Sequence, residues 1–172
     1  MPHINSISKV GLALCLAVTV ACSTEKKKET TVTATVETVA PFFKLSLAQW
    51  SLHKTFLQDS VDPFLFAEKA NAMGFEGVEY VNHLYNRFLD TIENKEEAMK
   101  LLIEKLNAEA SKNNVKNLLI MIDGEGDLAS EAIKQRDEAV EKHKKWVDAA
   151  AGLGCHSIRV NLFGATEPEA WK

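Results

Sequence analysis

Polar and ionisable residues collect at four places in this chain, each directly behind or within a short apolar run. Gln49, Trp50 and His53 follow the first run. Glu79, Asn82 and His83 surround the end of the second, Asp123, Glu125 and Asp127 follow the third, and Asn161 lies within the fourth beside Arg159. Carboxylates, amides and imidazoles grouped in this way can hold substrate hydroxyls or support the groups that do. The run Asp123-Gly124-Glu125-Gly126-Asp127 has the look of a calcium loop, but it lacks the twelve-residue frame and the terminal Glu that such loops need. A loop that contacts hydroxyls, or braces the residues that do, fits it better.

The elements that must position these residues repeat. Four strand-like runs are expected at Phe43–Trp50, Gly77–Val81, Asn117–Asp123 and Ser157–Leu162, alternating with three amphipathic helices. Such alternation specifies a parallel sheet with helices packed on it. The first helix opens with Asp62-Pro63, an N-cap acceptor and then a proline at a position that loses no hydrogen bond. Its buried stripe is Phe66, Ala67, Ala70 and Met73, and Gly74 ends it. The second opens with Asn94 and Glu97 at capping-box spacing, buries Ala98, Leu102, Leu106 and Ala110, and offers Glu96 and Lys100 as an i,i+4 pair. The third buries Ala139, His143, Trp146 and Ala150, with one His143 nitrogen hydrogen-bonded.

Leu118–Ile122 is continuously apolar, as a strand covered on both faces should be. In the fourth run, Ile158, Val160 and Leu162 alternate with Arg159 and Asn161, which should point away from the helix layer. A buried arginine needs a partner. Glu79 is the nearest inward-facing anion, and the pair reads either as a structural bridge or as a substrate clamp.

Four parallel strands and three helices read as an incomplete (β/α)8 TIM barrel. Repeats of about 38 residues would close such a barrel at about 300, and barrels of this type usually need about 250. The expectation is therefore that 43–172 forms the N-terminal half of a barrel enzyme. Such enzymes place their sites at the C-terminal ends of the strands, where the polar groups fall.

The front of the chain has another task. Val10–Ala21 is an uncharged apolar run, long enough for a signal-peptide core and shorter than the roughly 20 residues of a spanning helix. It ends in Thr19-Val20-Ala21-Cys22, which resembles the lipobox of bacterial lipoproteins. The expected organisation is a lipoprotein signal peptide over 1–21, acylation of Cys22, a flexible tether over 22–42 and the barrel half from 43. Low apolar content and mixed charge keep the tether from ordering. Acyl chains contributing about 0.8 kcal/mol per buried methylene would hold the protein to a lipid bilayer. Ser23 favours the outer membrane of a bacterial envelope, on its periplasmic side or surface.

Cys155 alone of the three cysteines would remain unmodified, so no internal disulfide is available, and its place at a strand start suggests a packing role. The net charge of −4, without a basic stripe, argues against nucleic acid as a partner.

Several segments together resemble a known family. Leu47-Ala48-Gln49-Trp50-Ser51-Leu52, Ala72-Met73-Gly74-Phe75-Glu76-Gly77-Val78-Glu79-Tyr80 and Leu119–Gly126 look like the xylose-isomerase-like sugar phosphate isomerase/epimerase barrels. So do Lys144–Ala150 and Gly154–Asn161. The chain is similar in particular to the secreted lipoprotein branch, over about 43–165. The resemblance implies a divalent metal (Mn, Mg, Co or Zn) in the full-length form, held at later strand ends, with none expected on the residues here. It implies proton transfer between adjacent carbons of a small-molecule sugar, a free or glycan-derived one in a secreted protein. It assigns no catalytic residue to this half, and it leaves Gln49, Trp50, Glu79, Asp123 and Asn161 as substrate-lining positions. The rival reading is a non-catalytic carbohydrate-binding lipoprotein on the same barrel. The oligomeric state is not set by either.

Overall fold

The structure, a computed structural model, describes residues 42–167 and 169. The expected signal peptide, Cys22 and the tether as far as Pro41 lie outside the described residues. Four strands form one parallel sheet in the order β1 (Ser46–Ala48), β2 (Gly77–Val81), β3 (Lys116–Ile122) and β4 (Ser157–Val160). Five α-helices join them: α1 (His53–Leu57) and α2 (Phe66–Ala72) after β1, α3 (Asn86–Asp90) and α4 (Lys95–Lys112) after β2, and α5 (Ile133–Leu153) after β3. The expected α/β class and four parallel strands are found, and the strands and helices follow the partial TIM-barrel order.

The helix count differs from the three expected. At five residues each, α1 and α3 are too short to show a 3.6-residue period, so no periodic signal marks them. They lie in the strand-to-helix connections, where they shape the strand ends.

Periodicity succeeds for the longer helices. Phe66, Ala67 and Ala70 of α2 are buried, as are Ala98, Leu102, Leu106 and Ala110 of α4, and Ala139, His143, Trp146 and Ala150 of α5. They cover the face of the sheet carrying Val78, Tyr80, Ile120 and Ile122. The His143 Nδ1–H donates to the Ala139 carbonyl at 2.7 Å. Met73 departs from the expected stripe: it caps α2 and is exposed. Lys100 pairs forward with Glu104 at 3.9 Å rather than back with Glu96. Glu96 instead lies in the first turn, where its backbone N–H is taken up by the cap.

The caps follow from residue type. Asp62 Oδ1 accepts the Phe64 N–H at 3.0 Å, and Gly74 adopts φ +84° behind α2. Asn94 Oδ1 accepts the N–H groups of Glu96 and Glu97 at 3.0 and 3.1 Å. Asn94→Ala should therefore lower stability by about 1 kcal/mol in urea unfolding, and Asn94→Asp by far less. Equal losses for the two would mean the cap is not what holds the start of α4.

Strand ends depart from the sequence expectation at three points. β1 spans only Ser46–Ala48, because Gln49–Leu52 turns into a 3-10 helix and Phe43 and Leu45 are exposed. β4 stops at Val160, so Leu162 is exposed rather than facing the helices, while its carbonyl accepts the Ala129 N–H at 3.1 Å. β3 is buried only over Ile120–Ile122, its first residues being half-buried or exposed.

The β2–β3 register also slips. Val78 stands opposite Asn117 and Glu79 opposite Leu119, so Leu118 is the extra residue of a bulge. Gly77 makes room for it: a Cβ there would stand 2.4 Å from Leu118 Cδ1. Below the bulge, Tyr80 donates from its hydroxyl to Asn117 at 2.7 Å, and Asn117 donates to Asn107 at 2.8 Å and to the Leu153 carbonyl at 3.0 Å. This network ties both long helices to the sheet.

Candidate functional site

At the C-terminal ends of the strands, Asp123 is the centre of a cluster. Asn161 Nδ2 donates to its Oδ1 at 2.5 Å, and Arg159 Nη2 reaches the same oxygen at 3.3 Å. His83 Nδ1 stands 3.7 Å from Oδ2. Its main chain is clamped as well. Asn82 is buried, accepts the Asp123 N–H at 2.8 Å and donates to the Asp123 carbonyl at 3.0 Å. Asn82 thus positions Asp123 rather than facing a ligand.

Trp50 forms the other wall. Its ring stacks on His53 with centroids 4.5 Å apart and meets His83 edge-on at 5.3 Å. The indole stays 44% exposed, enough to offer an open aromatic surface. His53 Nδ1–H donates to the Trp50 carbonyl at 2.7 Å, which holds the stack.

Gln49 has a different environment. It is fully buried, and Oε1 accepts the Val81 N–H at 2.9 Å, where a continuing ladder would have supplied a main-chain carbonyl. Nε2 donates to the Tyr85 hydroxyl at 2.8 Å and to the Pro63 carbonyl at 3.3 Å. Both ends of the carboxamide are used inside the protein, so the geometry makes Gln49 a brace between β1 and β2. Burial raises the Tyr85 hydroxyl well above its ordinary pKa, so it stays a neutral partner in that brace.

Arg159 pairs with Asp123, not with Glu79. Glu79 stands level with Leu119 and, across β3, with Ser157, two residues short of Arg159 along the strand. It accepts the Ser46 hydroxyl at 2.5 Å instead. Arg159 is also 47% exposed on its side chain, so the cost of a buried arginine does not arise among the described residues.

The acidic loop after β3 braces its surroundings. Glu125 accepts the Trp146 indole N–H at 2.7 Å and pairs with Lys145 at 2.8 Å. Asp127 Oδ1 accepts the N–H of Ala129 at 2.8 Å and that of Gly164 at 3.2 Å, joining this loop to the exit from β4. Burial pushes the Cys155 thiol up to about 11, so it is protonated at neutral pH and packs rather than attacks.

These residues do not fit a divalent metal. Asp123 already faces a guanidinium and an amide donor, Glu79 holds the Ser46 hydroxyl, and no three of His, Cys, Asp and Glu converge among the described residues. What converges is Trp50, His83, Asp123, Arg159 and Asn161: one aromatic wall, one carboxylate, and donors from β4 and the residue directly after it. The aromatic cluster of Trp50, His53 and His83 was legible in the sequence only as separate residues. Its sole local signal is the three-residue spacing of Trp50 and His53.

The fold defines the class: parallel strands in sequential order, helices on one face, polar groups at the carboxyl ends. No family model matches the chain, and no curated protein matches it. Among solved structures it is similar to a crystal structure of D-psicose 3-epimerase determined in the presence of D-fructose. The TM-score is 0.51 at 17% identity, over 73% of this chain and 41% of that one. The likeness shows the shared fold, and the chain spans less than half of that protein's length.

Proposed function

We propose that the strand-end face binds a sugar, and that the chain is part of a sugar isomerase or epimerase that moves a proton between adjacent carbons. The carrying observation is the convergence of Trp50, Asp123, Arg159 and Asn161 at the strand ends, where enzymes of this architecture bind substrate. The exposed indole suits the C–H face of a pyranose or furanose, while Asn161, Arg159 and Asp123 supply donors and an acceptor for hydroxyls. The similarity to an epimerase fold supports the reaction class. A divalent metal would be held by residues outside those described, on later strand ends of the same barrel, and 43–172 is its N-terminal half. Cys22, acylated behind a signal peptide over 1–21, would anchor the protein to a bacterial envelope membrane as in the secreted lipoprotein branch of this superfamily.

A second reading, a sugar-binding lipoprotein without catalysis, has one observation in its favour. Asp123 is engaged by Arg159 and Asn161, which leaves it poorly placed to take a proton. The test uses the native protein isolated from its own membranes, incubated with ketohexoses in D2O with and without Mn2+. Deuterium entering the carbon beside the carbonyl, only with metal, is expected for the enzyme. Sugar binding without exchange would favour the binder, and neither would overturn both readings.

A further inference from the structure

A second cleft, of about 550 Å³, opens between α1, the segment leading to Pro63, the turn Asn82–Tyr85, α3 and α4. Its floor is aromatic and apolar: Phe64 and Leu84 are buried and Phe88 is half-buried. Two cations border it. Arg87 comes from α3 and Lys105 from α4, and the Lys105 ammonium stands 3.7 Å from the centre of the Phe64 ring and 5.5 Å from that of Phe88. Neither cation pairs with a carboxylate among the described residues. Asp62 is the one acid lining the cleft, and its Oδ1 is occupied by the Phe64 N–H.

On the long helices, by contrast, Lys100, Lys112, Lys134 and Lys144 each find a glutamate at helical spacing. Here Lys105 is held over the rings of Phe64 and Phe88 instead, and an aromatic face leaves its ammonium without an anionic partner. An incoming anion breaks no existing ion pair. A planar apolar body would meet the phenyl floor while its charged group meets Arg87 and Lys105.

We propose that this cleft binds a small aryl anion, a carboxylate or phosphate on an aromatic body, at a site separate from the strand-end cluster. The two sites share one residue: His83 lines the cleft and also faces Asp123 and Trp50. Occupancy of the cleft therefore bears on the imidazole that borders the sugar site. The proposal does not depend on the sugar reading.

The test titrates the full chain with phenyl phosphate, followed by backbone amide shifts in NMR, with benzyl alcohol and inorganic phosphate as the two half-probes. Shifts confined to Ser60–Phe64, His83–Phe88 and Lys105 are expected, with either half-probe bound at least about tenfold more weakly, since a charge-assisted contact and an aromatic contact are each lost. Both cations are exposed, so the double variant R87Q/K105Q should fold and should weaken phenyl phosphate by about tenfold. Lys134→Gln, on the far part of α5, should change nothing. Equal binding of benzyl alcohol, scattered shifts matched by inorganic phosphate, or undiminished binding by the double variant would each overturn the proposal.

Discussion

Trp146→Ala should destabilise the protein by about 3–5 kcal/mol, the range for deleting a buried large aromatic side chain. The indole is 1% exposed, on the face of α5 packed against the sheet, and its N–H reaches Glu125 in the loop that leads from β3. Truncation would open a cavity under α5 and leave the Glu125 carboxylate with Lys145 alone. Since whole domains are stable by only about 5–15 kcal/mol, the alanine variant could lose its folding transition altogether. Trp146→Phe keeps most of the volume and removes the hydrogen bond, so urea unfolding should show a loss of about 1 kcal/mol with the transition intact. A loss below 1 kcal/mol for the alanine variant would mean that α5 does not rest on this residue.

Gln49→Leu should cost about 2–4 kcal/mol although it replaces a polar side chain with an apolar one of similar size. The leucine would leave the Val81 N–H buried without an acceptor, at about 1–3 kcal/mol for an unsatisfied buried group. It would also remove one further hydrogen bond, the one from Gln49 Nε2 to the Tyr85 hydroxyl, which keeps only its own donation to the Pro63 carbonyl at 3.4 Å. Thermal or urea unfolding reads this directly. The outcome separates two roles for the residue. A brace loses stability on substitution, whereas a residue that only lined a ligand site would lose affinity and keep its unfolding midpoint. The burial and full hydrogen bonding of Gln49 favour the first.

Both substitutions concern residues whose surroundings were differently legible. Trp146 falls in register with Ala139, His143 and Ala150, so a helical period alone places it on the buried face. Gln49 carries no such signal. A glutamine at the end of an apolar run reads equally as a rim residue open to ligand, and its burial depends on α3 and the turn before it, which bring Tyr85 over it. Arg159 and Glu79 show the same limit. Alternation along each strand put both on the same face, but their relative height depends on how three strands are aligned. Asp123 and Asn161 met as neighbours because they end adjacent strands; Asp123 and Arg159 met because the register set Glu79 too low.

The local order of this protein was determined by sequence alone. Periods of 2 and 3.6 located the strands, though not their ends, and the three longer helices with their buried faces apart from Met73, and the stereochemistry of Asp62, Gly74 and Asn94 placed helix ends. Those signals act over a few residues, so they survive without knowledge of the fold. The tertiary structure decided which polar groups meet. Gln49 and Val81 are 32 residues apart, Asn82 and Asp123 are 41, and Asp123 and Arg159 are 36. Each contact rests on inter-strand register, and that register includes a bulge at Leu118 made possible by the missing side chain of Gly77. A shift of one residue turns every side chain to the opposite face, and no local pattern carries that information.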